Sequence, residues 1–484
     1  MIPIKVSRRT SLPLRLALAT TVTAVAMSVA SAAAETTAEA DVTYTKDIAP
    51  ILERSCQHCH RPESVAPMSL LTYEDTRPWA RAIKYRTDRV GKPDVMPPWY
   101  IEKDIGIQQF KGDISLTQEE IARIATWADN GAPRGEPTNR PAPVVARDAS
   151  GWEIGAPDLV LKSPEVEVGA TSSDWWGPMG EVPTGLTEDR YVSSIEMREV
   201  NTIEGTVDRD TIGGLYVVHH LVVVPVGPEG RPIAEAGFWP VHEVGRNADV
   251  FHPDSGKLLK AGSKLLFPSA HLHSNGRHTR AHLEVGLKFH PKGYEPTQRV
   301  HIIGPATLDL DIRPMESDQK FEAFSTLMEH TKMTVFEPHM HAAGVRMCLD
   351  AIWDNNVETL SCAGYNHNWV RVYTFEDDVA PLLPKGTILR ITGYFDNTPA
   401  NPNVSDPRNW SGLGHRSIDN MMINIGQAVS LSDAEFAAEI ASRRERLGLS
   451  PGQTTPGCPL CGYSELPMFA TATDDGDADA DEGQ

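Results

Sequence analysis

Two cysteines and a histidine near the N-terminus have the spacing that attaches haem covalently. The segment Cys56–His60 reads Cys-x-x-Cys-His, in which two thiols can form thioethers to the haem vinyl groups. The adjacent His60 then offers its imidazole to the iron. A plain Cys-x-x-Cys disulfide would not explain the histidine. The sequence therefore predicts one covalently bound haem c.

Two methionines are candidates for the sixth iron ligand. Met96 lies in a loop stiffened by Pro97 and Pro98, which could present its thioether to the iron, and it is the predicted ligand. Met68 is the alternative, although it follows closely after His60 in the chain. A thioether ligand raises the haem reduction potential, which suits electron transfer.

Three histidine groups in the rest of the chain could bind a metal ion. They are His219-His220, His271-Leu272-His273 and His339-Met340-His341. Alternate residues of a strand share a face, so each His-x-His pair can hold one ion. The neighbours His219 and His220 would point to opposite faces unless a β-bulge turns one of them. Imidazole suits copper and zinc, so the pattern predicts a metal site.

The other four cysteines are expected to form disulfides. Cys348 and Cys362 are equidistant from Asn355 in a predicted hairpin, so their thiols lie opposite each other at a separation that a disulfide can bridge. Cys458 and Cys461 are spaced Cys-x-x-Cys without a following histidine, which excludes a second haem site. We expect a local disulfide there rather than a redox or metal pair.

The elements that must position these residues are of two kinds. Thr117 and Glu120 form a capping box at the start of a helix that Gly131 ends, as in a small α-helical cytochrome c domain. Beyond residue 155 the apolar runs are short and are separated by glycine and proline, which predicts two antiparallel, jelly-roll-like β-sandwiches. Ser432 and Glu435 predict one further capped helix.

Charge and the first residues of the chain indicate where the protein acts. Its 45 Lys and Arg against 65 Asp and Glu give a net charge of −20, which argues against nucleic acid as the main partner. A basic start, the apolar stretch 16–30 and Ala-x-Ala sites predict a cleaved export signal, and hence a periplasmic or secreted protein. We expect no membrane span in the mature protein.

The predicted organisation has six parts, because 484 residues exceed what one core usually serves. They are a signal peptide (1–34), a cytochrome c domain (41–132), a proline-rich linker (133–154), a first sandwich (155–310), a second sandwich (311–428), and a segment with the capped helix, the Cys-x-x-Cys pair and an acidic tail (429–484).

The order of the histidine motifs resembles the copper type II, ascorbate-dependent monooxygenases, which include the peptidylglycine and dopamine enzymes. The resemblance covers about residues 200–425 and is carried by the segments 218–221, 273–276, 338–344 and 419–422. It implies an electron-relay copper and an oxygen-activating copper. The implied ligands are His219, His220 and His273 for the first ion, and His339, His341 and Met421 for the second. His271 could replace His273, and Met422 could replace Met421.

The resemblance also implies hydroxylation of a C–H bond with O₂, with electrons crossing a solvent-filled cleft between the two coppers. The fused haem could feed those electrons, in place of or together with an ascorbate-like reductant or a redox protein. The substrate, a small molecule or a peptide, stays open. The alternative is an electron-transfer or copper-binding protein that hydroxylates nothing, and burial of either copper site would favour it.

Overall fold

A computed structural model describes residues 42–62, 64, 66–137, 151–203 and 216–463. The predicted signal peptide, most of the predicted linker and the acidic tail lie outside these ranges. Within them, no helix has the length and apolar content that crossing a membrane requires.

Short helices occupy the N-terminal part of the described chain. They are α1 (Ala49–Ser55), α2 (Tyr73–Thr76), α3 (Ala80–Thr87) and α4 (Gln118–Asp129), with a π-helical turn at Tyr44–Ile48 and a 3₁₀ turn at Arg77–Trp79. The capping box predicted at the start of α4 is confirmed, since Thr117 accepts from the Glu120 N–H and the Glu120 carboxylate accepts from the Thr117 N–H. The core of this helical segment includes the fully buried Leu52, Ile124 and Trp127.

The segment between α3 and α4 belongs structurally to the second sandwich. Trp99 and Phe110 lie in the core of that sandwich, and the Trp99 ring meets the edge of Tyr373 with centroids 5.1 Å apart. Isolated β-bridges join Ile101 to Ala363 and Phe110 to Phe375. The connection between α3 and α4 therefore contributes to the core of the second sandwich, while the helices pack around a core of their own.

The first sandwich consists of a six-stranded and a five-stranded antiparallel sheet. The strands are β1 (Leu159–Lys162), β2 (Val166–Val168), β3 (Trp175–Gly177), β4 (Gly180–Pro183), β5 (Arg190–Ile203), β6 (Val218–Val226), β7 (His242–Glu243), β8 (Asp249–Val250), β9 (Lys257–Leu259), β10 (Lys264–Leu272) and β11 (Thr279–Phe289). The larger sheet has the path β1-β11-β5-β8, and the smaller has β3-β10-β6-β7. Apolar side chains of both sheets fill one core.

The second sandwich consists of two four-stranded antiparallel sheets and two short strand pairs. Its strands are β12 (Val300–Ile302), β13 (Gln319–Thr326), β14 (His330–Met333), β15 (Val335–Phe336), β16 (Pro338–Met340), β17 (Gly344–Trp353), β18 (Asn356–Gly364), β19 (Tyr373–Thr374), β20 (Leu382–Leu383), β21 (Ile388–Phe395), β22 (Met422–Asn424) and β23 (Gln427–Leu431). The sheets run β12-β23-β14-β20 and β13-β21-β17-β18. Because β12 pairs with β23, the second sandwich begins before the predicted boundary at residue 310.

Both predicted disulfides are present, at Cys348–Cys362 and Cys458–Cys461. The hairpin geometry differs from the prediction, because Trp353 pairs with Asn356 and the turn holds both Asp354 and Asn355. A register shift after Leu349 compensates for the offset and returns Cys348 to a position opposite Cys362.

The predicted capped helix is present, and it packs on the second sandwich. The helix α5 (Asp433–Leu447) starts with the reciprocal hydrogen bonds of Ser432 and Glu435, and Gly448 ends it in the left-handed conformation. Phe436 and Ile440 cover Val429 and Leu431 of β23 together with the Cys458–Cys461 pair.

Candidate metal centre

One face of the smaller sheet of the first sandwich carries a row of polar side chains. In the antiparallel register His220 lies opposite His271 on one side and opposite Glu243 on the other. His271 in turn lies opposite Trp176, and the two rings stack 4.8 Å apart at 9°. Directly opposed residues share a face, so Glu243, His220, His271 and Trp176 form one line across four strands.

A β-bulge adds His219 to this face. His271 pairs with His220 but Leu272 pairs with Val218, so His219 is the extra residue of the bulged strand. Such a bulge is the local irregularity that allows the adjacent residues His219 and His220 to bind the same metal ion. One ligand atom each from His219, His220 and His271 lies within 4.8 Å of the other two.

The second set of predicted ligands lies on a short strand pair of the second sandwich. Met340 pairs with Met422 and His339 with Ile423, and His341 and Met421 directly adjoin the ends of these strands. Met340 and Met422 are fully buried in the core. The rings of His339 and His341 are 5.4 Å apart, so these two histidines lie close together.

Burial separates the two candidate methionines. A Cβ placed on Gly393 would collide with the Met422 sulfur, so Met422 fills the core tightly. Met421 is only partly buried. Because the core holds the Met422 thioether, Met421 is the better candidate ligand.

The two histidine sets meet between the sandwiches. The rings of His220 and His341 are 6.5 Å apart and inclined by only 20°. A seventh histidine, His367, lies 4.4 Å from His219 and 6.4 Å from His341 by ring centroids. The expected solvent-filled cleft is thus replaced by one contiguous group. We call it the histidine cluster: His219, His220, His271, His273, His339, His341 and His367.

Several nitrogens of the histidine cluster have no hydrogen-bond partner in the described part of the chain. Both ring nitrogens of His219 are buried and unpaired, and so are Nδ1 of His341 and Nδ1 of His367. An unsatisfied buried polar group costs about 1–3 kcal/mol, and a metal ion would satisfy several at once. A group of neighbouring imidazoles is a donor set that suits copper. These residues therefore fit a bound copper ion.

Electrostatics keep most of these rings unprotonated. Burial is the main cause, and it lowers the pKa of His220 and of His367 to about 3. It also holds the pKa of His219 and of His341 well below the usual value, with the neighbouring imidazoles adding to the effect. A neutral imidazole is the form that binds a metal, so the cluster favours metal ions over protons.

His339 is the exception, because a carboxylate faces it. Burial alone would lower its pKa, but the Glu243 carboxylate reverses the direction and raises it. Nδ1 of His339 lies 2.8 Å from Oε1 of Glu243, which leaves Nε2 for a metal. A carboxylate on the second nitrogen fixes the tautomer and orientation of a metal-binding histidine. Glu243, which lies in the first sandwich, thereby positions a ligand of the second.

Replacing Glu243 with glutamine is expected to weaken copper binding at His339 and His341 by about 10- to 100-fold, the usual effect of losing such a partner. Competition with a chromogenic copper chelator would measure the affinity. Glu196→Gln, in the larger sheet of the same sandwich, is the matched control and should leave the affinity unchanged. A wild-type affinity in the Glu243 variant would contradict this role.

The structure also bears on the choice between His271 and His273. His271 lies with His219 and His220, whereas the His273 ring is 5.6 Å from His219 and its Nδ1 is 3.3 Å from the Ser274 carbonyl. Asp174 lies 3.0 Å from Nε2 of His271 and can fix its tautomer. The geometry therefore places His271 among the candidate ligands, while His273 stays a prediction.

Ser417 of the second sandwich reaches this group. Its hydroxyl lies 2.8 Å from Nδ1 of His271 and 3.3 Å from Nδ1 of His220. It thus stands between two nitrogens that a metal would approach.

The predicted haem-binding residues lie together after α1. Cys56 and Cys59 belong to one turn, since the Cys59 N–H donates to the Cys56 carbonyl at 3.2 Å. Nδ1 of His60 lies 3.3 Å from the Met68 carbonyl, which leaves Nε2 for iron. Burial lowers the pKa of His60 and keeps the ring neutral. The turn fits the attachment of haem at these three residues.

The sixth iron ligand stays a prediction. Met96 is 40% exposed and, with Leu116 and Ile121, lines a cavity of about 160 Å³ at the edge of the helical core. Met68 packs against the same core as Cys56. Both methionines thus border the core that carries the haem motif.

Tyr216 precedes His219 by three residues and interacts electrostatically with Cys59 of the haem motif. Burial is the largest reason that its pKa is raised, and the nearby Cys59 thiol raises it further. The Glu199 carboxylate accepts hydrogen bonds from the next two backbone N–H groups, of Val217 at 3.0 Å and Val218 at 2.8 Å. The same backbone continues directly to His219.

Sequence reasoning missed His367, Glu243 and Ser417. Each is a single residue without a paired neighbour of the same chemistry. The contacts of His367 with His219, of Glu243 with His339 and of Ser417 with His271 all cross between the two sandwiches.

A comparison with models of known protein families gives no match, and a comparison with curated proteins finds no significant relative.

Proposed function

We propose that this chain is an exported haem- and copper-dependent oxidoreductase that hydroxylates a C–H bond with O₂. The observation that carries the proposal is the meeting of partly unpaired imidazoles from both sandwiches, in a chain that also carries the haem-attachment motif. The histidine order, which resembles that of the copper type II monooxygenases, supports the same reading.

Each protein group has a distinct part in this proposal. His219, His220 and His271 would hold one ion, and His339, His341 and Met421 the other. Bound copper supplies one-electron chemistry with O₂, and bound haem supplies electrons. The chain itself orients His339 through Glu243 and excludes water from the buried rings.

Electron supply from the haem motif to the histidine cluster is part of this proposal. The Cys59 thiol contributes to raising the pKa of Tyr216, and continuous backbone leads from Tyr216 through Val217 and Val218 to His219. Electrons would have to cross the non-bonded gap between Cys59 and Tyr216 before they could follow this backbone to the first ion. A soluble ascorbate-like reductant or a redox protein would then need to reduce only the haem.

Electron transfer without a bound substrate is the second candidate function, and one observation favours it. His219, His341 and His367 are 6%, 3% and 8% exposed, and such burial suits a protein that exchanges electrons without binding a substrate. His220, His339 and Met421 are less buried, and they provide the edge at which a substrate could reach the second ion.

The test follows the reaction of the reduced protein with O₂. Haem should be reoxidised rapidly in the copper-loaded wild type and at least about tenfold more slowly in Met421→Ala. Met328→Ala, at a residue that is 76% exposed on the same sandwich, is the control and should match the wild type. Met422→Ala should instead lower the free energy of unfolding by about 2–5 kcal/mol, as a core truncation does.

Two results would contradict the proposed enzymatic function. If Met421→Ala reacts with O₂ as the wild type does, this methionine has no part in the reaction. If the wild type passes electrons to copper but never reacts with O₂, the electron-transfer protein is the correct reading.

A further inference from the structure

His367 has a position in the histidine cluster that no sequence pattern assigns to it. It lies in the loop between β18 and β19, flanked by Asn366 and Asn368. Its ring is 8% exposed and its Nδ1 has no hydrogen-bond partner in the described ranges. The fold thus buries a histidine nitrogen without giving it a protein acceptor or donor.

The histidines next to His367 also have buried ring nitrogens without a hydrogen-bond partner in the described ranges. The His219 ring is 4.4 Å away and inclined by 32°, and both of its nitrogens are unpaired. The His341 ring is 6.4 Å away, and its Nδ1 is also unpaired. Unpaired nitrogens from three separate elements therefore lie on neighbouring rings, and leaving each of them unsatisfied would cost about 1–3 kcal/mol. Metal ions bound within the histidine cluster would satisfy them.

The loop that carries His367 is held on two sides. The Asn366 side chain donates to the Pro93 carbonyl at 2.8 Å, next to the helical segment. The Val370 N–H donates to the Val244 carbonyl of the first sandwich at 2.9 Å, and Trp369 packs on Gly245. Contacts with Pro93 and with the first sandwich therefore fix the position of the loop that carries the His367 ring.

We propose that His367 is a further copper ligand, which binds through Nδ1 to the same ion as His219. This inference rests on the proposed binding of copper by the histidine cluster. It gives that ion ligands from both sandwiches, so metal binding also joins the two domains. The ligand class is a copper ion with a largely imidazole donor set.

The test compares His367→Ala with the wild type, both as full-length, copper-loaded protein. Copper affinity is measured by chelator competition, and the copper(II) EPR spectrum reports the nitrogen donors. We expect affinity for one ion to fall by at least about tenfold and the nitrogen hyperfine pattern to change. His330→Ala, a histidine that is 2% exposed in the same sandwich and stacks on Phe436, is the control and should change neither. His367→Gln, which keeps most of the volume, repeats the test if the alanine variant does not fold.

The outcomes separate this inference from the proposed function. A wild type without bound copper overturns both. A wild type that binds copper, with His367 variants of equal affinity and identical EPR spectra, overturns the role of His367 and leaves the proposed function standing.

Discussion

Replacing Arg246 with methionine is expected to lower the free energy of unfolding by about 3–5 kcal/mol, because it leaves buried carboxylates without their counter-ion. The Arg246 side chain is 4% exposed and lies among three carboxylates. It pairs with Asp249 at 2.9 Å and with Glu243 at 3.4 Å in the first sandwich, and with Glu337 in the second. The guanidinium thus links the sandwiches directly behind His339.

Chemical denaturation of the metal-free protein would measure this effect. Arg408→Met is the matched control, since Arg408 pairs with Asp406 at the surface and its side chain is 80% exposed. Surface pairs contribute about 0–1 kcal/mol, so the control should be nearly as stable as the wild type. If the Arg246 and Arg408 variants were equally stable, the ion pairs of Arg246 would not stabilise the interface between the two sandwiches.

Replacing His219 with alanine is expected to reduce the copper content from two ions to one per chain. His219 is the ring on which the cluster converges, with His271 at 4.9 Å and His367 at 4.4 Å by centroids. Its removal takes away the ligand that the β-bulge places beside His220 and His271.

Metal analysis of the purified variant would measure the loss, with the haem content as an internal check. His290→Ala is the control in the same sandwich, because His290 stacks on Tyr294 at 3.8 Å away from the cluster. Two copper ions in the His219 variant would contradict the assignment of this histidine as a ligand.

Local signals in the sequence predicted local structure well. The capping boxes at Thr117 and Ser432 are confirmed, since a cap depends on residues only three positions apart. The Cys348–Cys362 disulfide is confirmed because hairpin pairing is a short-range property, even though a two-residue turn and a bulge replaced the symmetric turn.

Long-range packing limited the prediction of the site. The His-x-His spacing predicted that His339 and His341 lie close together, and their rings are 5.4 Å apart although His341 lies just beyond β16. The contact of His339 with Glu243, 96 residues away, depends on how two sandwiches meet, which no periodicity encodes. The same holds for Trp99, whose place in the core of the second sandwich was not visible in a segment predicted as cytochrome.

Anaerobic electron transfer within the copper-loaded protein tests most directly whether the haem supplies electrons to the histidine cluster. After mixing with substoichiometric reductant, we expect the reduced haem band to form and then to decay at a rate independent of protein concentration. The copper(II) EPR signal should fall at the same rate. A haem that stays reduced beside unchanged copper(II), or a protein that binds haem without copper, would show that the haem does not supply the histidine cluster.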